Sequence, residues 1–235
     1  MIIFTAREFM NRLCELECHK TLYVLGGFGL PANIKNKTRV KNAQVYNRSN
    51  GREKMIDGAS SDTFFFDCIG MVKAVLWGWN GNTQANYGGA TYGANGVPDT
   101  NCEGMIKLCK DVSSEFHDIQ EGEFLYMKGH CGIYMGDGIA IECTPKWDNK
   151  VKYSYVENLG CKYGKSRSWE KHGKLPWIEY ATVETTKPLK YIAQSGDSIS
   201  KLIKKGIITD KAKFIEINKL KYPYWLIKGK EYTLC

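Results

Sequence analysis

Residues 63–79 read TFFFDCIGMVKAVLWGW. Phe64, Phe65 and Phe66 lead into Asp67, after which Ile69, Val72, Leu76 and Trp77 recur at helical spacing. Asp67 is a good N-cap, so the pattern predicts a helix with Cys68 in its first turn. Unpaired backbone N–H groups and the helix dipole favour a thiolate at that place. A free cysteine is most often a small buried hydrophobe, so position alone does not make it a nucleophile.

Upstream, Thr5-x-x-Glu8 is a capping box ahead of Phe9, Met10, Leu13, Cys14 and Leu16, which predicts a helix over about 6–19. LYVLGGFGLPA (22–32) reads as a turn-rich loop, and 33–62 as a long polar surface excursion. Residues 80–101 are rich in Gly and Asn and read as loop, and CEGMIKLCKDVS as a short helix. The period then changes. GEFLYMKG, HCGIYMGDGIAIECTP and VKYSYVEN are short runs of strand-favouring residues, with a hairpin signal at Gly136-Asp137-Gly138. Helices followed by an antiparallel sheet make an α+β domain. The hairpin puts His130 and Glu142 near-opposite in the ladder, where a carboxylate can orient an imidazole that serves a thiol as base.

The chain has 235 residues, 26.7 kDa and a net charge of +8. Its length fits one large domain, or one medium domain plus a small module, and its ordinary composition excludes a disordered or collagenous chain. No apolar run approaches the ~20 residues of a membrane span. MIIFTAREFMNRL carries Arg7 and Glu8 where a signal peptide has its apolar stretch, so no export signal is expected. The nine cysteines are scattered without a C-x-x-C pair and are expected to be reduced. Cys14-x3-Cys18-His19 lacks a second ligand pair and reads as half-buried helix, not a metal site.

The charge is uneven. Residues 187–235 hold 11 lysines and four acidic residues; the first 186 hold 22 basic and 21 acidic residues. A basic module attracts a polyanion, with nucleic acid and anionic wall polymer as candidates and a solvated lysine face as the bland reading. ATVETTKPLK (181–190) reads as a linker. Beyond it, strand, turn at Ser195-Gly196-Asp197, two helices and a closing strand make a βααβ unit. The expected domains are therefore 1–180, a linker at 181–189, and 190–235.

FDCIG (66–70) resembles the FDCSG nucleophile motif of NlpC-type cell-wall cysteine peptidases, a papain-like group. GHCGIYMGDG (129–138) resembles their GHVGIYIGDG segment, and YVLGGFG (23–29) their YVWGG loop. The three motifs stand in the family's order. The resemblance implies a papain-like domain, helices packed on an antiparallel sheet, that cuts a stem-peptide amide of peptidoglycan, typically after D-glutamate. It implies a thioester mechanism with Cys68 as nucleophile, His130 as base and Glu142 as orienting residue, with Tyr23 and Asp67 binding substrate. Ile69 stands in place of the motif's Ser and Cys131 in place of Val. A carboxylate third member is closer to the CHAP branch, whose glycan–peptide amidases are the alternative; a non-catalytic wall-binding or tail protein is another. Residues 191–234 resemble a LysM module: YIAQSGDSISKL for its opening, Asn218 in EINKL, and LIKGKEYTL for its close. That implies binding to N-acetylglucosamine-containing glycan through Gly196, Asp197 and Asn218. No cofactor or metal, no nucleic-acid partner and no membrane insertion are expected. The setting implied is a phage or prophage lysin made in the cytoplasm and acting on the wall.

Overall fold

The computed structural model describes residues 2–49, 51–162, 164–180, 190–208 and 211–234. The linker expected at 181–189 lies outside the described residues. The chain divides into two units, Met1–Tyr180 and Ala181–Cys235. No helix among the described residues is long and apolar enough to cross a membrane.

The first unit is mixed α+β. Its elements begin with β1 (Phe4–Thr5) and α1 (Ala6–Glu17), followed by β2 (Lys20–Tyr23) and β3 (Phe28–Pro31). Next come α2 (Ile34–Ala43), α3 (Arg52–Gly58), β4 (Thr63–Phe66), α4 (Cys68–Leu76) and α5 (Cys102–Leu108). The remaining strands are β5 (Lys110–Ser113), β6 (Phe124–Met127), β7 (His130–Gly136), β8 (Ile139–Thr144), β9 (Lys150–Val156), β10 (Ser166–Arg167), β11 (Lys171–Lys174) and β12 (Ile178–Glu179). The capping box starts α1 as its sequence dictates: Thr5 Oγ1 accepts from the Glu8 N–H and the Glu8 carboxylate accepts from the Thr5 N–H.

Strands β5 to β11 form one seven-stranded sheet in the order β10-β9-β8-β7-β6-β11-β5, antiparallel except for β10 on β9. Helix α4 is buried along its whole length. It packs with Phe9, Leu13 and Leu16 of α1 and with Cys131, Ile133, Ile141 and Cys143 of β7 and β8 in the main core. The opposite side of the sheet has its own core of Leu125, Tyr134, Ala140, Val156 and Trp169.

Two segments differ from their reading as loops. Residues 22–32 are β2, a tight turn at Gly26-Gly27, and β3, flanking β4 in a three-stranded sheet of order β2-β4-β3. Residues 33–62 are largely exposed, as a surface excursion would be, but they hold helices α2 and α3. Helices α2 and α3 bury Val40 and Ile56 against Val24, Leu30 and Phe65. Much of that interface is polar. Asn47 donates to the Leu25 and Val40 carbonyls at 2.9 Å each and accepts from the Leu25 N–H. Arg52 bonds the Tyr23 carbonyl and Asn149.

The second unit has β13 (Lys190–Ile192), α6 (Ile199–Lys204), α7 (Lys211–Ile217) and β14 (Glu231–Thr233), with β13 and β14 antiparallel. Ala193, Ile199, Leu202, Ile208, Phe214 and Tyr232 form its core.

Candidate active site

Cys68 opens α4, and Asp67 is the N-cap. Both Asp67 oxygens accept backbone N–H groups: Oδ1 from Gly70 at 2.6 Å and Oδ2 from Gly26 at 2.7 Å. The Asp67 N–H donates to the Gly27 carbonyl at 2.9 Å. One carboxylate therefore ties the Gly26-Gly27 turn to the start of the helix. The fit is close enough to require glycine on both sides. A Cβ on Gly70 would lie 1.8 Å from the Gly27 oxygen, and one on Gly27 would lie 2.7 Å from the Phe65 backbone. Burial, and then the charge on Cys68, raise the Asp67 carboxyl to about 7.

Cys68 is 7% exposed. Its thiol lies well below the ordinary range. Hydrogen bonds from the Cys102 and Cys131 thiols lower it most, burial opposes them, and the bond to His130 lowers it further. His130 opens β7, where Gly129 at φ 74° turns the chain. Its Nε2 lies 2.6 Å from Glu142 Oε2, and Cys68 acts on the same ring. Burial works against the imidazolium, but the bonds to Cys68 and Glu142 win and raise its pKa.

The ladder pairs Ile133 with Ile141, two residues further along β8 than direct opposition of His130 and Glu142 requires. By that register Glu142 faces Gly132, and His130 is its diagonal neighbour on the same face, not its direct opposite. The diagonal reach works because Gly132 carries no side chain; a Cβ there would meet the Trp169 ring at 3.1 Å. Trp169 stacks on His130 at 14° and 5.7 Å between centroids.

Glu142 is fully buried. It accepts from Ser154 Oγ at 2.5 Å, from Arg167 Nη2 at 2.8 Å and from Arg167 Nε at 3.3 Å. Burial raises its carboxyl, but His130 and Arg167 outweigh that and hold it below the usual carboxylate value. Arg167, Ser154 and Trp169 have no counterpart in the sequence reading. They lie 12 to 27 residues beyond Glu142 on β9, β10 and the segment after it, and no local spacing marks them.

Tyr23 is nearly buried at the end of β2, with the Arg52 guanidinium 5.3 Å from its ring centre. Burial first, then Cys68 and Asp67, raise its phenol. His172 and Glu123 form a second buried His–carboxylate pair, but the other His172 nitrogen bonds the Glu115 carbonyl at 2.7 Å, so no thiol completes it.

In the second unit, Asp197 Oδ2 accepts from the Tyr191 hydroxyl at 2.5 Å and from the Gln194 N–H at 2.7 Å, closing the turn that contains Gly196 at φ 81°. Asp197 lines a cleft of about 500 Å³ with Ser198, Lys211, Tyr224 and Trp225. Asn218 is not part of that lining. Its amide bonds Thr233 N–H and C=O at 2.8 Å each and clamps α7 to β14.

No protein-family model and no curated protein sequence matches the chain. Among solved structures, a crystal structure of the P60 domain from an antigen of M. avium subspecies paratuberculosis is similar over 74% of this chain and 98% of that one, at 14% identity and a TM-score of 0.39. That likeness is too distant to assign a family or an activity.

Proposed function

We propose that the chain is a peptidoglycan hydrolase of the NlpC/P60 type, a cysteine peptidase acting on an amide of the stem peptide. One observation carries the reading: Cys68 stands at a helix N-terminus, Cys68 and His130 shift each other toward the charged pair, and His130 Nε2 lies 2.6 Å from Glu142. Groups in that order supply a nucleophile, a proton carrier and an orienting anion. The FDCIG, GHCGIYMGDG and YVLGGFG motifs add the family.

In this reading the Cys68 thiolate attacks the amide carbon, and the oxyanion accepts from the backbone N–H of Cys68 at the start of α4. The His130 imidazolium gives its proton to the leaving amine, and a thioester remains. His130, now neutral, takes a proton from water, which attacks the thioester and releases the acid. Glu142 keeps the imidazole aligned, held in turn by Arg167 and Ser154. Asp67, with both oxygens bound to backbone amides, is assigned to positioning the nucleophile, not to substrate. Tyr23 is assigned to the wall of the site. A D-glutamyl–diamino acid bond is the preferred target. The carboxylate in third place favours the glycan–peptide amide as the second reading.

The second unit is assigned to glycan binding. Its cleft carries Trp225, 80% exposed, together with polar groups of Asp197 and Ser198. An exposed indole beside hydrogen-bonding groups suits a sugar face.

The thioester is directly testable. Full-length protein is mixed with a soluble muropeptide and quenched in acid within the first turnovers. The peptide containing Cys68 is expected to gain the mass of the acyl fragment. Turnover with no adduct on Cys68 at any time would remove the covalent mechanism.

A further inference from the structure

Three thiols meet at the site, although the acyl-transfer scheme uses one. Cys68 Sγ lies 3.5 Å from Cys102 Sγ, and the sulfurs of Cys68, Cys102 and Cys131 all fall within 4.8 Å of one another. All three residues are buried. They come from the first residue of α4, the first residue of α5 and the second residue of β7.

Each sulfur is held from its own side. Asp67 fixes the start of α4. Asn101 caps α5 by accepting from the Gly104 N–H at 2.8 Å. The buried Lys73 on α4 bonds Asp99 and the Thr100 carbonyl, which pins the chain just before Cys102. Glu103 Oε1 accepts from the Gly129 N–H at 2.8 Å and joins α5 to the start of β7. The cluster is therefore built before any ligand arrives.

Its dimensions match a known coordination geometry. Zinc–thiolate bonds of about 2.3 Å in a tetrahedron place sulfurs roughly 3.8 Å apart. The observed separations, 3.5 Å for Cys68–Cys102 and within 4.8 Å for all three, lie around that spacing. Soft thiolates select soft or borderline cations over magnesium or calcium. We propose that Cys68, Cys102 and Cys131 form a binding site for a thiophilic divalent cation of the zinc type, which occupies the nucleophile and switches the enzyme off. On binding, three metal–sulfur bonds form, and the protons of the Cys102 and Cys131 thiols leave to solvent. The site itself is independent of the hydrolase reading; its inhibitory effect rests on it.

The test uses the full chain in chelator-treated buffer. Zinc ion is titrated against a chromophoric chelator, and cadmium ion is added separately to read thiolate-to-metal charge-transfer absorption. Wild type is compared with Cys102→Ala, with Cys131→Val and with the double variant. Valine keeps the volume and strand preference of β7, and circular dichroism checks each fold. The expected result is a tight cadmium–thiolate band in wild type and zinc binding weakened at least ~100-fold in the double variant, since two of three sulfur ligands are gone. Bound zinc should also block alkylation of the Cys68 peptide in wild type but not in the double variant. Relative to its own metal-free rate, wild-type hydrolysis should fall with zinc and return with chelator, while the double variant should resist zinc. Wild-type zinc affinity retained in a folded double variant, or no charge-transfer band in wild type, overturns the site. Tight binding to the three sulfurs that leaves wild-type turnover unchanged overturns the switch. If metal-free protein fails to cleave peptidoglycan, the hydrolase reading and the switch that rests on it both fail, while the binding titration still decides the site.

Discussion

The Cys68 thiol pKa is pushed down by the Cys102 and Cys131 thiols and by His130, against the burial that opposes the charge. The sign of the pH dependence follows. A depressed thiol pKa keeps the reactive form as pH falls, so alkylation of Cys68 by iodoacetamide in metal-free buffer should stay fast below pH 7, where an ordinary thiol slows about tenfold per unit. A rate that follows an ordinary thiol would remove the ion pair. The raised His130 pKa works at the other limb: the imidazolium persists past its ordinary value of 6.5, and turnover should decline as pH rises through the shifted one. His130→Ala should lower turnover by about 10²–10⁴-fold. Arg167→Ala should lower kcat by a smaller factor, ~10- to 100-fold, because Arg167 acts through Glu142, as outer partners of a working histidine do. It should also shift the alkaline limb of the pH profile, a change that a purely structural role would not produce. Cys68, His130 and Glu142 were legible because a cap, a strand start and a hairpin each leave a local mark. Arg167, Ser154 and Trp169 were not, because what joins them to the site is sheet order.

At the scale of elements, the site depends on how closely a turn approaches a helix start. Gly70→Ala would put a methyl group 1.8 Å from the Gly27 carbonyl oxygen. The expected cost is about 3 kcal/mol or more. In a unit of this size that lowers the melting temperature by roughly 6–12 °C. An unchanged melting temperature in calorimetry would contradict the close approach. Helices α2 and α3 explain why residues 33–62 read as surface. The inward side chains of these helices and of the turn between them include Asn36, Asn47 and Arg52, whose hydrogen bonds to backbone carbonyls do work that apolar residues usually do by packing. A hydrophobic pattern cannot reveal an interface built that way. The βααβ order of the second unit and the strands around Asp137 were legible because turn residues punctuate them. Asn218 was legible as special, but its bonds to Thr233 make it a clamp between elements.

For the molecule as a whole, the division of charge runs parallel to the division into two units. A fragment ending near Thr186 should still cleave soluble muropeptides but lose much of its action on intact walls, because the second unit no longer raises local concentration. The piece 187–235 should sediment with purified walls. Salt should weaken only part of that binding, since exposed lysines are screened over ~8 Å at physiological ionic strength. Trp225→Ala in that piece should weaken the salt-resistant part by about 1–2 kcal/mol. Binding that vanishes wholly in salt would leave a charge anchor. Purified peptidoglycan is digested with the full chain and with Cys68→Ala, and the released muropeptides are analysed by mass spectrometry. The expected result is a new free amine on the diamino acid, with the sugar–peptide link intact, and no such product from Cys68→Ala. Unchanged muropeptides with wild type, cleavage at the sugar–peptide amide instead, or the same products from a folded Cys68→Ala protein would contradict it.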